Sequence, residues 1–400
     1  MKTLILTIGL FVSSTFFLVA QTKKLMILGF RDSIYSKILG EKREILVHLP
    51  DTPADEFAPD QKYPVIYVLD AGSYFQTIAA ISESKGGGSG NFSSPKVIVV
   101  GIVNTDRMRD LSPTHWPNPP LVPAGMAASS GDGEKFLGFI EKELIPHIDS
   151  ICPAAPHRTI IGHSLGGLAA INALLNHKGL FQNHVVLDPT TWWEKENWIN
   201  SVKNKLTLAD YSNTSVFLAI AHSVDKSLSI EALKTDTNLR TLPMRSELNF
   251  DQYIKSIIGA HPLIYQSKYY PDYDHGGVAL PGIIDAMGFI YNFYGISFPF
   301  PGFFAPDYSE DGKLAAHYEM VSKRLGYKVA PPGELINAVA HELMGSKQFD
   351  RAKKYLDLNL KNYPNSYKSY EAMGDYYKEL GKRELSDGFY KKAGVMKGKG

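Results

Sequence analysis

Short apolar runs alternate with amphipathic stretches along most of this chain. The pattern predicts an α/β domain with a mostly parallel central sheet, followed by a small α-helical region. Three observations carry that prediction. The runs at 64–69 and 96–103 are almost wholly apolar, as suits parallel strands covered on both faces. The stretches at 134–145, 165–175 and 281–293 read as helices between and after such runs. Beyond about residue 331 the chain becomes helical in pattern and rich in lysine and tyrosine.

Taken in order, the N-terminus comes first. Met1-Lys2-Thr3 carries one positive charge, an apolar run extends from Leu4 to Ala20, and Gln21 to Lys24 turns polar. This is the layout of a secretory signal peptide over 1–20, so the mature chain is expected to be secreted or periplasmic. An uncleaved N-terminal anchor is the other reading. The stretch at 44–49 alternates polar and apolar residues as a half-buried strand does. Further strands are expected at 158–162, 185–187 and 215–221. Glycine-rich 84–90 and proline-rich 117–133 read as surface loops. Prolines and glycine at 297–302 stop the last helix of the main domain, placing that domain over 21–296 and a linker with a connecting helix over 297–330. In the tail, over 331–396, Tyr370, Met373, Gly374 and Tyr377 match tetratricopeptide spacing, and Gly345 and Gly381 begin echoes 36 residues apart. One and a half to two such units are short of the usual ~3, so the tail should pack on the main domain. A plain helical hairpin is the alternative.

Composition excludes several functions. Lysine plus arginine is 42 against 41 aspartate plus glutamate, a net charge of +1, too balanced for a protein devoted to nucleic acid. The 44% hydrophobic content exceeds that of a disordered chain. A single cysteine, Cys152, excludes an internal disulfide and any multi-cysteine metal site. No histidine and carboxylate cluster has metal-ligand spacing, no phosphate loop appears, and neither metal nor cofactor is expected.

The chemistry is carried by Gly162-His163-Ser164-Leu165-Gly166, a G-x-S-x-G placed after an apolar strand and opening a helix. That is the context of a nucleophile elbow. The turn is strained, so the residues two before and two after the serine must be small. The helix N-terminus then points free N–H groups at any oxyanion forming beside Ser164. A serine needs a base, and the usual chain order is serine, acid, histidine. Of twelve histidines, His275 stands out, in the loop Asp274-His275-Gly276-Gly277 before a helix. His222, at a strand end, is the runner-up. For the acid, Asp225 follows the strand at 215–221, with Asp188, Asp236 and Asp274 as alternatives. Oxyanion donors are expected from the amides of Gly72, after the strand ending at Leu69, and of Leu165. Trp192 and Trp193 read equally as an aromatic wall for substrate or as lid packing. Arg107 is a candidate contact for an acidic substrate group, against a salt-bridge cluster with Asp106 and Asp110.

Tyr67-Val68-Leu69-Asp70, the run Val100 to Arg107, 136–148, the elbow and Asp274-His275-Gly276 together resemble the esterase D-like family of α/β-hydrolases. That family includes enterochelin-type siderophore esterases, feruloyl and acetyl xylan esterases and S-formylglutathione hydrolases. The resemblance covers about 33–293. It implies an α/β-hydrolase sandwich, Ser164 as nucleophile, His275 as base and Asp225 as acid. The expected activity is hydrolysis of a carboxylic ester through an acyl-enzyme, on a small-molecule or polysaccharide substrate. Two other functions use the same features: acyl transfer by the same triad, or a non-catalytic exported scaffold that docks a protein partner through its tail.

Overall fold

The structure is a computed structural model that describes residues 27–50, 57, 61–86, 93–297 and 302–397. The expected signal at 1–20 lies outside the described residues. Eight strands form one sheet: β1 (Phe30–Ser36), β2 (Glu41–His48), β3 (Tyr63–Val68), β4 (Ile98–Ile102), β5 (Ala154–His163), β6 (Asn183–Leu187), β7 (Ser215–Ala221) and β8 (Ile264–Tyr270). Their spatial order is β1-β2-β4-β3-β5-β6-β7-β8. The β1–β2 and β2–β4 pairs are antiparallel, and every later neighbour is parallel. Every residue of β3, β4, β6 and β7 is buried, which explains the apolar runs of β3 and β4, of 185–187 in β6 and of 216–221 in β7. The edge strands β1 and β8 are mixed in burial and in sequence.

Two apolar cores flank the sheet. One packs Phe136, Phe139, Leu168, Leu174 and Trp193 on one face. The other packs Phe75, Ile78, Ile283, Met287 and Tyr291 on the opposite face. The helix expected over 134–145 is interrupted. It runs as Gly133–Phe139, passes through a wider π turn at Ile140–Leu144, and continues as Ile145–Ile151. Pro146 sits in the turn that follows, where it offers no backbone N–H to an ordinary helical ladder. Of the loop expected at 84–90, Ser84 and Lys85 belong to the Ala71–Lys85 helix, and 87–90 lie outside the described residues.

The tail is four helices, Gly333–Gly345, Phe349–Asn362, Tyr367–Glu379 and Arg383–Lys397. They share a third core of Ile336, Leu343, Leu356, Met373 and Tyr376. The connecting helix Lys313–Leu325 joins that core to the main domain. Its Leu314 and Tyr318 enter the tail core, while Val321 and Leu325 enter the sheet's second core.

Candidate active site

The site lies beyond the carboxyl ends of the parallel strands, as expected for an open α/β sheet. β5 ends at His163, and Ser164 turns the chain into the helix Leu165–Asn176 with φ 58 and ψ −120. That positive-φ serine is held from both sides. Its N–H donates to the Leu187 carbonyl, and its carbonyl accepts from the N–H groups of Leu168 and Thr190. A Cβ on Gly162 would stand 2.1 Å from the Gly166 carbonyl oxygen, so glycine is required there by contact.

His275 meets the elbow. Its Nε2 lies 3.0 Å from Ser164 Oγ, and its Nδ1 lies 2.6 Å from Asp188 Oδ2. The imidazole side chain is 49% exposed, while Asp188 is 1% exposed. Asp188 follows β6 with φ 42 and accepts 2.6 Å from the Ala221 N–H and 3.2 Å from Ser223 Oγ. Burial pushes its carboxyl up, but hydrogen bonds from His275 and Ala221 outweigh this and hold it below the usual range. Glu247, itself buried, lies close enough to Asp188 to feel its charge. Burial first, and the Asp188 charge second, push its carboxyl well above the usual range. Of the two carboxyl groups, Glu247 holds a proton the more tightly.

The acid expected at Asp225 is therefore corrected to Asp188. Asp225 is exposed, accepts from the N–H and hydroxyl of Ser227, and reaches neither ring nitrogen of His275. β6 lies between β5 and β7, so an aspartate at the end of β6 emerges beside the elbow. His222 is engaged elsewhere, with Nδ1 at Tyr269 Oη and Nε2 at the Asp225 carbonyl. Asp274 caps its own loop through the Gly277 N–H, and Asp236 holds the Asn238–Thr241 turn.

Leu165 occupies the first position of its helix, where the N–H groups have no intrahelical partner. Gly72 departs from the expected loop. It is exposed in the first turn of the Ala71–Lys85 helix, with nothing within 4 Å of where a Cβ would stand, so no close approach calls for a glycine there. The bend belongs to Asp70 at φ 54. Arg107 pairs with Asp70 rather than with Asp106 or Asp110: its Nε and Nη2 lie 2.7 and 3.0 Å from the Asp70 carboxylate. The neighbouring cluster contains Arg109 and Arg43 with Asp110 and Glu41, and Asp106 caps its own helix. Trp193 is fully buried, donates to Thr114 Oγ1 and meets the Trp116 ring edge-on, so it packs the core rather than walling a cleft. Trp192 is 8% exposed against the same Trp116.

Three contributors escaped the sequence reading. Thr190 Oγ1 lies 3.4 Å from Ser164 Oγ, Glu247 backs Asp188, and His163 contacts the loop of His275. Beside His275 opens a cavity of about 440 Å³, lined by His222, Ser223, Lys226, Tyr273 and Gly276 among others. Among the described residues no cluster of three or more metal-ligating side chains occurs.

A nucleophile elbow with an aligned histidine and buried carboxylate is the arrangement of serine hydrolases. The family model named Esterase matches residues 36–260, more than half the chain. The chain belongs to the Esterase family. It is 30% identical over 187 residues to the ferri-bacillibactin esterase BesA of Bacillus subtilis, covering 44% of this chain and 63% of that protein's length. It is 22% identical over 248 residues to a siderophore enterobactin esterase of Emericella nidulans, covering 57% and 82%. Among solved structures, an IroE-like serine hydrolase from Shewanella oneidensis superposes with a TM-score of 0.66 at 26% identity, covering 83% of this chain and 99% of that one. This Esterase-family member thus has the α/β-hydrolase fold expected from its sequence, with a helical region added at the C-terminus.

Proposed function

We propose that the protein is an exported serine esterase that hydrolyses a siderophore-type carboxylic ester. The observation that supports this reading above all is the unbroken chain Ser164 Oγ, His275, Asp188, with contacts of 3.0 and 2.6 Å. His275 Nδ1–H donates to Asp188, which leaves Nε2 as the acceptor for the serine proton. Oγ attacks the ester carbonyl as His275 takes that proton. The amide of Leu165, at the free N-terminus of its helix, is the oxyanion donor. His275 then returns the proton to the leaving alkoxide, and an acyl-enzyme remains on Ser164. A water, deprotonated by the same Nε2, releases the acid. Exposure of half the imidazole gives water ready access, which favours hydrolysis over transfer to another hydroxyl. The substrate class is drawn from the relatives, which are named esterases of ferri-bacillibactin, enterobactin and triacetylfusarinine C.

Purified mature protein should hydrolyse p-nitrophenyl acetate, and Ser164→Ala should lower kcat by about four to six orders of magnitude. Siderophore esters such as enterobactin should then be cleaved with higher kcat/KM than feruloyl or acetyl-xylan esters. Turnover near wild type in Ser164→Ala would overturn the mechanism. A preference for the polysaccharide esters would overturn the substrate assignment alone.

A further inference from the structure

We infer that His163, the residue before the nucleophile, is a positioning residue that ties the base loop and the first helix of the sheet's second face to the elbow. The inference rests on the proposed triad. The ring of His163 is 8% exposed, and both nitrogens are used. Nε2 lies 2.7 Å from the backbone carbonyl of His275, a partner 112 residues away in the chain. A carbonyl only accepts, so Nε2 carries the hydrogen and Nδ1 is the acceptor. At Nδ1, 3.0 Å away, stands the hydroxyl of Tyr74, which donates. The two imidazoles are tilted against each other, with ring centroids 4.6 Å apart and planes at 36°. Arg107 Nη2, anchored on Asp70, reaches the His163 carbonyl at 3.4 Å.

Each contact has a consequence for chemistry. The base loop is otherwise pinned by the Tyr273 carbonyl, which accepts from the His222 N–H, and by the Asp274 carboxylate, which caps Gly277. Only His163 grips the main chain of His275 itself among the described side-chain contacts. Tyr74 belongs to the Ala71–Lys85 helix, whose first turn faces the elbow. One neutral ring therefore sets the distance between nucleophile, base and that helix. Protonation of His163 would remove the acceptor for Tyr74 and place a cation against His275. Burial first, and the His275 charge second, oppose this by lowering its affinity for a proton.

The test compares His163→Phe, which keeps a stacking ring but no donor, with His163→Gln, which restores an N–H. Both are measured on p-nitrophenyl acetate, together with Tyr74→Phe and the His163→Phe/Tyr74→Phe double variant. Losing a contact that aligns a catalytic ring should cost about 10- to 100-fold in kcat. The expected result is that loss in His163→Phe with KM within about twofold, partial recovery in His163→Gln, and a double variant no worse than His163→Phe alone. A second readout needs no turnover: the downfield proton resonance of His275 Nδ1–H should broaden in His163→Phe and persist in His163→Gln. That resonance would report on His163 even if wild type cleaved no ester, which separates failure of this inference from failure of the proposed function. A kcat within twofold of wild type, a loss confined to KM, additive losses in the double variant, or an unchanged resonance would each overturn it. Should His163→Phe fail to fold, His163→Leu, which also lacks a donor, replaces it, with the same expected loss and the same overturning results.

Discussion

The loops that follow β6 and β7 invite comparison, because each leaves the carboxyl end of a neighbouring parallel strand and each carries an aspartate. After β6, Asp188 adopts a left-handed turn, is almost wholly buried, and meets His275. After β7, Asp225 is solvated and satisfied by Ser227 two residues on. Yet the second loop does serve the site. The last residue of β7 supplies the Ala221 N–H and the loop after it supplies the Ser223 hydroxyl, both of which donate to Asp188. One loop therefore provides the charge and the other provides donors that hold it. A strand-end carboxylate becomes part of a triad only where neighbouring main chain turns it inward and satisfies its second oxygen.

Substitutions can break this comparison in order of size. Asp188→Asn keeps the shape but favours the wrong imidazole tautomer, and kcat should fall by about 10⁴. A loss under tenfold would mean that Ser164 and His275 suffice. Glu247→Ala empties buried space behind Asp188; a fall in thermal stability equivalent to about 2–4 kcal/mol is expected in calorimetry. Ser223→Ala removes one of several donors to Asp188 and should reduce kcat only a few-fold, about 1 kcal/mol. Asp225→Asn should leave kcat within twofold of wild type, since surface changes away from such features are nearly neutral. A large loss there would reverse the roles of the two loops.

Glu247 also sharpens the contrast through pH, because nothing comparable backs Asp225. Its folded carboxyl binds a proton more tightly than in the unfolded chain, where the ordinary value is 4.5. The stability contributed by that bound proton is complete below about pH 4.5 and is lost as pH rises through the raised folded value. Glu247→Gln keeps a donor toward Asp188 without a titrating group. Its melting temperature should exceed that of wild type at pH 8, and the gap should narrow at pH 5. An equal gap at both values would show that Glu247 folds as a carboxylate.

Much of this architecture is legible in the sequence, for identifiable reasons. β3, β4 and β7 are buried on both faces, so their runs are apolar without interruption. Gly162 and Gly166 mark the elbow because the turn brings their backbones into contact. His275 is legible because small residues flank it. The edge strands escape detection, since Arg31, Asp32 and Ser33 in β1 and Gln266, Ser267 and Lys268 in β8 face solvent enough to blur any pattern. The acid is ambiguous because strand adjacency is a tertiary property, and β6 and β7 end alike. Trp193 misleads for another reason: a large aromatic after a strand end reads as a wall or as packing, and only its bond to Thr114 decides. His163 is hidden within the motif that points to Ser164, because its partner lies far along the chain.

The contact between Gly162 and the Gly166 carbonyl also bears on inheritance. Every single-base change that replaces a glycine by another amino acid introduces a Cβ, and at Gly162 that atom would stand 2.1 Å from a carbonyl oxygen. No one-step replacement at this codon is sterically admissible. Gly138 and Gly312, with nothing within 4 Å of an added Cβ, have ample room to drift. In a saturation library selected for ester cleavage, position 162 should therefore admit no replacement, while those two accept alanine.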